Sequence, residues 1–483
     1  MSIRTRVELL IRRRTKIVAT LGPASATPEM ISNLVAAGVN VFRLNMSHGD
    51  HDFHRTVFHH IKTIRERLDE PVAVLADLCG PKIRTGQFQD GAIQLEPGKP
   101  VTVTTRDVIG VPGLIPSQYQ ALAQDVRAGN RILLDDGNME LKVEGVDGTE
   151  ISCTVVHGGI LKNHKGINLP GVNVSAPSLT EKDKIDAEFA LGLGVDFLAL
   201  SFVRRAADIQ ELRQLITALH GKAHIVAKIE KPEALEDATQ IMDSTDAIMV
   251  ARGDLGVELN PEEVPVVQSQ LIEMARRKFK PVIVATQMLE SMIDHARPTR
   301  AEVTDIAHAV TEGTDAVMLS AETASGAYPI EAVKIMDRIA RQTEAILWES
   351  GAYASGPAVI VRPPIPIWDA IAHAVNNMAH HLSVRAVMVM SNSGMSATTV
   401  ASARPAAPVI AMTNDPAVYR RMVLLWGVIP ILSDKVGSLN PNQLAKDVAK
   451  QLGLANTGQY VLLVRGFHND AELNTPTITA LLV

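Results

Sequence analysis

The sequence predicts an α/β protein made of a (β/α)8 TIM barrel, a small β domain inserted after the third barrel strand, and a C-terminal doubly wound α/β domain. Three observations predict this fold. Eight short apolar runs are each followed by a helical pattern, hairpin signals fill a long gap after the third run, and strands and helices alternate again after about residue 350. A chain of 483 residues is long enough for roughly two to four domains.

The eight apolar runs supply the predicted barrel strands. They read KIVATLG (16–22), NVFRLNM (40–46), VAVLADL (72–78), DFLALSF (196–202), HIVAKIE (224–230), AIMVARG (247–253), PVIVATQ (281–287) and AVMLS (316–320). Alternation of this kind is typical of a (β/α)8 barrel, although an open parallel sheet has the same periodicity. We assign residues 16–85 and 171–346 to the catalytic barrel.

Residues 86–170 lie between the third and fourth strands and are too many for a loop. Apolar and polar residues alternate there, and the segments turn at Gly, Asp and Pro, as in AIQLEPGKPVTVTT. We expect a β-barrel-like lid domain over the C-terminal face of the barrel. Such barrels carry out their chemistry at that face, and a lid there can close on substrate and exclude water.

The strand–helix pattern restarts after a proline-rich junction, SGPAVIVRPPIP, and we assign residues 347–483 to a C-terminal α/β domain. The pattern predicts a helix through Trp426, helices over 369–382, 394–404 and 441–453, and strands over 385–391, 408–413, 428–432, 460–465 and 477–483. Residues 1–15 are expected to form a short surface helix with a solvated basic face, because their apolar part is too short for a signal peptide.

Composition limits the classes of partner. A net charge of −6 argues against a nucleic-acid groove or an anionic membrane as the main partner. No apolar run approaches the roughly 18 residues that span a bilayer. The two cysteines, Cys79 and Cys153, are too few for a disulfide framework or a zinc site, so we expect a reducing, cytoplasmic environment.

Polar side chains follow most of the predicted barrel strands. Lys228 and Glu230 end the fifth strand on one face, because side chains two apart in a strand point the same way, and Asp254 follows the sixth strand. Two carboxylates on adjacent strand ends suit Mg²⁺, and the lysine would then face a phosphoryl group or an enolate. A purely structural ion pair would leave the same pattern. Weaker signals follow the second, seventh and eighth strands, where the residues of interest are Arg43, Asn45, Ser47, His48, Thr286 and Ser320.

Nine segments resemble, in chain order, the signature blocks of the pyruvate kinase family. They are TKIVATLGPAS, RLNMSHGD, GPKIRTG, KGINLPG, AKIEKPEAL, MVARGDLGVE, ATQMLESM, RPTRAEVTDIAHAV and MLSAETASGAYP. The resemblance runs from about Lys16 to Val333 and continues more weakly into the C-terminal domain. It implies a glycolytic phosphotransferase that moves the phosphoryl group of phosphoenolpyruvate to ADP and yields ATP and pyruvate.

The resemblance also implies residue roles. Glu230 and Asp254 would hold Mg²⁺ (or Mn²⁺), and Lys228 would stabilise the phosphoryl group and the enolate. Phosphoenolpyruvate would be bound by Arg43, Gly253, Asp254 and Thr286. The nucleotide side would be lined by Asn45, Ser47, His48, Arg84 and Lys165. The enol would be protonated through water near Thr286 and Ser320. Positioning and charge neutralisation of this kind are what phosphoryl transfer needs.

The stretch LADLCGPKIRTG indicates whether the protein requires a monovalent cation. Potassium-dependent family members hold K⁺ with groups that correspond to Asn45, Ser47, Asp77 and the carbonyl of Leu78, and they usually carry Glu where this chain has Lys82. A K⁺ ion within about 4 Å of an ammonium would be repelled by roughly 4 kcal/mol at an effective dielectric constant of 20. We therefore expect Mg²⁺ but not K⁺ to be required, with Lys82 orienting the substrate through Asp77 and the phosphate. A solvated lysine at the rim is the alternative.

The family's allosteric sugar-phosphate site corresponds to SNSGMSATT (391–399) in the C-terminal domain. A hydroxyl-rich turn at a helix N-terminus suits an anion, although capping by Ser393 or Ser396 would use the same residues. The residues expected to bind a phosphorylated sugar or AMP are Ser391, Ser393, Gly394 and Ser396. Met395 stands where family members often carry a basic residue, which leaves the effector's identity open. Regulation would act through a homotetramer, as the resemblance implies.

Two other functions remain to be weighed. A metal-dependent aldolase or lyase would share the Glu/Asp metal pair but would need neither the inserted lid nor Arg84. A catalytically silent regulatory paralogue would be expected to lack Lys228, Glu230 or Asp254, and all three are present.

Overall fold

The barrel begins with two β–α units and a third strand. The computed structural model describes residues 13–350, 365–468, 470 and 472–483. The first elements are β1 (Lys16–Thr20), α1 (Pro28–Ala37), β2 (Val41–Asn45), α2 (His51–Leu68) and β3 (Ala73–Asp77). Thr27 caps α1 by accepting a hydrogen bond from the Met30 amide, and Gly38 ends this helix in the left-handed conformation.

The inserted domain follows β3 and consists almost entirely of strands. Its elements are β4 (Ala92–Leu95), β5 (Pro100–Thr104), β6 (Leu114–Pro116), α3 (Leu122–Asp125), β7 (Arg131–Leu134), β8 (Met139–Asp147), β9 (Glu150–His157), β10 (Gly159–Lys162) and β11 (Ile167–Asn168). They form a two-stranded sheet and a six-stranded sheet of order β11-β7-β8-β9-β5-β6. The predicted β-rich insertion is confirmed. Its apolar core also contains Val172 and Val174, beyond the predicted limit at residue 170.

The remaining five strands return to the barrel. The elements are α4 (Glu181–Leu193), β12 (Phe197–Leu200), α5 (Ala206–Ala218), β13 (His224–Ile229), α6 (Pro232–Glu236), α7 (Ala238–Ser244), β14 (Ala247–Ala251), α8 (Arg252–Glu258), α9 (Val264–Arg277), β15 (Val282–Ala285), α10 (Arg300–Glu312), β16 (Ala316–Leu319), α11 (Ala321–Ala324) and α12 (Pro329–Glu349). All neighbouring strands are parallel, and β1 pairs with both β2 and β16, which closes the eight-stranded barrel and confirms the prediction.

The C-terminal domain is a five-stranded sheet with helices. Its elements are α13 (Ile367–His381), β17 (Val387–Met390), α14 (Met395–Ser402), β18 (Val409–Thr413), α15 (Pro416–Arg421), β19 (Val428–Leu432), α16 (Pro441–Gln451), β20 (Tyr460–Arg465) and β21 (Thr477–Leu482). The strand order is β19-β18-β17-β20-β21, and only the edge strand β21 is antiparallel. The predicted doubly wound domain is therefore confirmed. The helix predicted through Trp426 ends earlier, because a 3-10 turn over Met422–Leu424 follows α15.

The two ends of the barrel segment differ from expectation. Residues 1–12 of the predicted N-terminal helix lie outside the described residues. Arg13 and Arg14, at the end of that segment, are neither helical nor solvated. Arg13 forms an ion pair with Asp337 at 2.8 Å, and only 3% of Arg14 is exposed. At the other end, α12 continues to Glu349, beyond the predicted limit at 346, and the proline-rich junction lies almost wholly outside the described residues.

Ion pairs join the C-terminal domain to the base of the barrel, where the strands begin. Arg404 reaches Asp315, just before β16, at 2.9 Å, and Arg420 reaches Asp196, just before β12, at 2.7 Å. The lid and the C-terminal domain thus lie at opposite ends of the barrel. In the part of the chain that the structure describes, none of the helices combines the length and the apolar character needed to cross a bilayer.

Candidate active site

A small cavity of about 80 Å³ lies where the barrel strands end, at the face that carries the lid. It brings together polar side chains that are far apart in the sequence. The predicted site residues that line it are Arg43, Asn45, Ser47, Leu78, Lys82, Lys228, Glu230, Asp254 and Thr286. Parallel strands place their carboxyl ends at one face of the barrel, which is why residues from seven of the eight strands meet there.

Lys228 occupies the centre of the polar groups in this cavity. Its Nζ lies 2.9 Å from Glu230 Oε1 and 3.3 Å from Asp77 Oδ1, and it donates a hydrogen bond to Ser201 Oγ at 2.7 Å. Burial alone would lower the pKa of Lys228, but the charges of Asp77 and Glu230 reverse this and hold the pKa above its ordinary value. These contacts favour the ammonium form of the side chain and fix it through three partners.

Asp77 explains why the third strand ends on a carboxylate. Besides contacting Lys228, its Oδ2 accepts a 2.7 Å hydrogen bond from Arg43 Nε, and its side chain is 1% exposed. Burial would raise the pKa of Asp77, but Lys228 and Arg43 hold it below its ordinary value. One buried carboxylate thus fixes two cations side by side, which is an arrangement suited to a phosphate dianion.

Glu230 and Asp254 are the carboxylates that could hold a divalent cation. Both line the cavity, and burial together with the negative charge of Asp254 raises the pKa of Glu230, against the opposing effect of Lys228. A cation between the two carboxylates would relieve this repulsion. Glu230 Oε2 accepts from the Phe202 amide at 2.7 Å, and each oxygen keeps a second lone pair for a metal. The residues therefore fit Mg²⁺, which favours one or two carboxylates plus substrate oxygens.

Thr286 is held in an uncommon backbone conformation beside the metal-site residues. Its φ is +67°, a value that threonine rarely adopts outside constrained sites. Arg252 supports it by donating to the Thr286 carbonyl at 2.7 Å while also pairing with Asp305 at 2.7 Å. The Thr286 hydroxyl in turn accepts a 2.7 Å hydrogen bond from the Gly253 amide. Of the groups expected to bind the substrate carboxylate, Thr286 and Gly253 are thus already adjacent.

A larger cleft of about 510 Å³ separates the barrel from the lid. Arg84 and Lys165, predicted on the nucleotide side, both line it, and Lys165 pairs with Asp135 of the lid at 2.7 Å. Lys82 and Asp254 line this cleft as well as the small cavity, so the two spaces adjoin. The site can therefore hold an anionic substrate next to a larger second one.

Lys82 does not contact Asp77 in the way the sequence predicted. Both Asp77 oxygens are taken by Arg43 and Lys228, and the Lys82 side chain is exposed at the rim of the cavity. Among the described residues, no carboxylate lies within ion-pair distance of Lys82. The charge of Lys82 nonetheless affects the nearby imidazole of His48. Burial, followed by the charges of Lys82 and Arg84, lowers the pKa of His48.

Some predicted residues lie elsewhere. His48 and Ser320 line neither the small cavity nor the cleft, and the Ser320 amide donates to Glu322 at 2.6 Å. The effector residues separate in a similar way. Ser391 and Ser396 are buried, whereas Ser393 and Gly394 line another cavity at the base of the barrel.

Comparison with known proteins agrees with this geometry. The family model for the barrel domain of pyruvate kinase matches residues 12–333, and the model for its alpha/beta domain matches residues 369–479. The chain belongs to the pyruvate kinase family.

Individual relatives agree over nearly the whole chain. The pyruvate kinase of Geobacillus stearothermophilus is 44% identical over 461 residues, which cover 94% of this chain and 78% of that protein. The pyruvate kinase of Mycobacterium intracellulare is 43% identical over 94% of this chain and 95% of its own length. The crystal structure of a pyruvate kinase from Cryptosporidium parvum superposes with a TM-score of 0.88 at 34% identity, covering 99% of this chain and 97% of that one. The chain is therefore a phosphotransferase of the pyruvate kinase type.

Sequence reasoning missed two residues of this pyruvate kinase site. Ser201 accepts from Lys228 and donates to the Leu78 carbonyl at 2.7 Å, so it ties the ammonium to the end of β3. Arg252 supports Thr286, as described above. Ser201 lies near the end of the predicted barrel strand over 196–202, and this position was a signal that could have identified it. The pairing of Arg252 with Asp305 spans 53 residues and left no local pattern.

Proposed function

We propose that this chain transfers the phosphoryl group of phosphoenolpyruvate to ADP with Mg²⁺ (or Mn²⁺), using the small cavity for phosphoenolpyruvate and the adjoining cleft for the nucleotide. The observation that carries the proposal is the Lys228 ammonium, fixed by Asp77, Glu230 and Ser201 beside two spaces that share Asp254. Lys82 and Arg84 add positive charge where the two anionic substrates would meet.

The proposed reaction breaks the bond between phosphorus and the enol oxygen, and an oxygen of the ADP β-phosphate forms the new bond to phosphorus. Arg43 and Lys228 orient the phosphoryl group and offset the charge that develops on its oxygens. Lys228 also faces the enolate oxygen. The enolate carbon then takes a proton through water near Thr286 and Ser320, giving pyruvate. When bound by Glu230 and Asp254, Mg²⁺ supplies further positive charge toward the same oxygens.

The substrate carboxylate is assigned to Gly253, Asp254 and Thr286. Arg252 acts as a positioning residue by holding the carbonyl of Thr286 at 2.7 Å. Asn45, Ser47 and His48, together with Arg84 and Lys165, are assigned to the nucleotide side. Closure of the lid over the cleft would exclude water and so limit hydrolysis of the phosphoryl donor.

Potassium is not required in this proposal. The ammonium of Lys82 supplies a tethered positive charge beside Asn45, Ser47 and Leu78, which line the same cavity. Because Lys82 forms no ion pair with Asp77, whose oxygens contact Arg43 and Lys228, Lys82 acts on the substrate phosphate directly rather than through Asp77. The enzyme is further proposed to be a cytoplasmic homotetramer that is regulated by a phosphorylated metabolite.

A coupled assay of pyruvate formation tests the proposal. Pyruvate should appear from phosphoenolpyruvate only when both ADP and Mg²⁺ are supplied, and chelation of the metal should stop it. An absence of ADP-dependent turnover at saturating Mg²⁺ would refute the proposed function.

A further inference from the structure

The helix that follows the lid, α4, holds two of the loops that carry site residues. Its first turn contains two adjacent residues of opposite charge, Lys182 and Asp183. Lys182 Nζ donates to the Met46 carbonyl, in the loop after β2, at 3.0 Å. Asp183 Oδ1 accepts from the Gly80 amide, in the loop after β3, at 3.1 Å. The first turn of α4 therefore fixes these two loops relative to each other.

The contact with Met46 reaches the residues that line the small cavity. Met46 lies between Asn45 and Ser47, which both line it, and its amide donates to the Asp77 carbonyl at 3.0 Å. The Met46 carbonyl and the Ser47 amide belong to one planar peptide group. The Ser47 amide in turn donates to Asn45 Oδ1 at 3.2 Å. The bond from Lys182 thus orients the peptide group that holds the Asn45 side chain.

Lys182 is fixed although 59% of its side chain is exposed. Its Nζ lies 2.5 Å from Asp186 Oδ2, one turn further along α4, and the Asp186 side chain is buried. Asp186 Oδ1 contacts Nε2 of His51, the first residue of α2, at 2.8 Å, and the His51 ring stacks on Phe189 of α4. Exposed ion pairs add little to stability, so the main consequence of these contacts is the placement of the ammonium against the loop.

The groups assigned to the phosphoryl donor are held independently of Lys182. Arg43, earlier on β2, donates to Asp77 at 2.7 Å and to the Thr20 hydroxyl at 3.1 Å. Lys228 is held by Asp77, Glu230 and Ser201, as described above. Lys182 therefore acts on one side of the site only, that of Asn45 and Ser47.

We propose that Lys182 is a positioning residue for the reaction. By holding the peptide group between Met46 and Ser47, it fixes the direction in which Asn45 and Ser47 face the nucleotide. The inference rests on the proposed function, which assigns these residues to the nucleotide side. A misplacement of about 1 Å in such a site can cost on the order of 10²-fold in rate.

Steady-state kinetics of the full-length Lys182→Met variant test the proposal. The KM for ADP should rise about fivefold or more, and kcat/KM for ADP should fall about tenfold or more. The KM for phosphoenolpyruvate should change by less than about twofold, because Arg43 and Lys228 keep their partners. A partly unfolded variant would lower kcat and leave both KM values unchanged, so the difference between the two substrates separates positioning from a merely structural role.

Two further variants serve as controls. Lys184→Met is matched to Lys182→Met, since Lys184 lies on the same helix but pairs with Glu181 and Glu211, which lie on helices. It should leave kcat and both KM values as in the wild type. Lys182→Arg keeps a cation with N–H donors and should hold the KM for ADP within about threefold of the wild type. All three variants should unfold within about 2 °C of the wild type.

Titration with ADP and Mg²⁺, without phosphoenolpyruvate, gives a readout that does not depend on turnover. Lys182→Met should bind ADP about fivefold or more weakly than the wild type. Equal ADP affinity in the two proteins, or an equal rise in the KM values of both substrates, would overturn the inference.

The titration and the assay together separate the two proposals. Weaker ADP binding by Lys182→Met, with no turnover in the wild type, would refute only the proposed function. Turnover with unchanged ADP binding and unchanged KM values in Lys182→Met would refute only the role of Lys182. A wild type that neither binds ADP nor turns it over would refute both.

Discussion

The active-site cavity and the cavity between the barrel base and the C-terminal domain hold their cations differently. At the lid end, Lys228 and Arg43 share the carboxylate of Asp77, and Lys228 also contacts Glu230. At the base, Lys280 and Arg421 are held by backbone carbonyls alone among the described residues. A carboxylate partner fixes a cation before substrate arrives, as catalysis requires.

The largest effect is expected at Lys228. Lys228→Met should lower turnover by at least about 10²–10³-fold, because a preorganised charge at the developing anion is lost. Circular dichroism shows whether the variant is folded, and steady-state kinetics measure its turnover. Lys184→Met is the control, since Lys184 forms an exposed ion pair with Glu181 on α4. A folded Lys228→Met variant with near-normal turnover would remove Lys228 from the mechanism.

Asp77→Asn should change the pH dependence of turnover. The charge of Asp77 helps to hold the pKa of Lys228 above its ordinary value, so its removal lets that pKa fall. Lys228 would then lose its proton at a lower pH than in the wild type, and the alkaline limb of the kcat profile should move toward neutrality by about 1–3 pH units. Ser201→Ala removes a neutral partner of the same ammonium and should move the limb less. An unmoved limb in Asp77→Asn would contradict the role given to this carboxylate.

Lys82 differs from Lys228 and Arg43, because it is exposed and no carboxylate among the described residues pairs with it. The wild type should be active in a K⁺-free buffer of constant ionic strength. Lys82→Glu should be poorly active there and should recover part of its activity as K⁺ replaces tetramethylammonium, because the new carboxylate favours a monovalent cation. A wild type that requires K⁺ would contradict the proposal that the Lys82 ammonium replaces this cation.

The smallest effect is expected at the base, in stability. Lys280→Met should change the free energy of unfolding by less than about 1 kcal/mol or raise it slightly, because the lysine is half-buried without a carboxylate partner. Urea denaturation measures this. A loss of about 3 kcal/mol or more would mean that Lys280 stabilises the fold, and the contrast between the two cavities would fail.

Local patterns made most of the fold predictable. The strands predicted over 428–432 and 460–465 coincide with β19 and β20, because apolar runs bounded by Gly and polar residues define both ends. The N-terminal segment was not predictable in the same way. Arg13 and Arg14 look like part of a basic surface, and they are buried by contacts with Asp337 and Glu344, more than 320 residues away.

In the active site, too, local patterns were predictable and contacts between distant residues were not. Lys228 and Glu230 were predictable, because strand parity alone places them on one face. The partners of Asp77 were not, since they depend on which strands are neighbours in the closed barrel. From the sequence we therefore expected Lys82, five residues along the chain, to be the partner of Asp77. In the structure, the partners of Asp77 are Arg43 and Lys228.

The most direct test of the account is the stoichiometry of products from phosphoenolpyruvate and ADP, with Mg²⁺ present and K⁺ absent. The account predicts that ATP and pyruvate form in equal amounts, because the phosphoryl group leaves the enol oxygen only by transfer to ADP. Pyruvate without ATP would indicate hydrolysis or lyase chemistry at the same carboxylates. That result, or the absence of both products, would contradict the account.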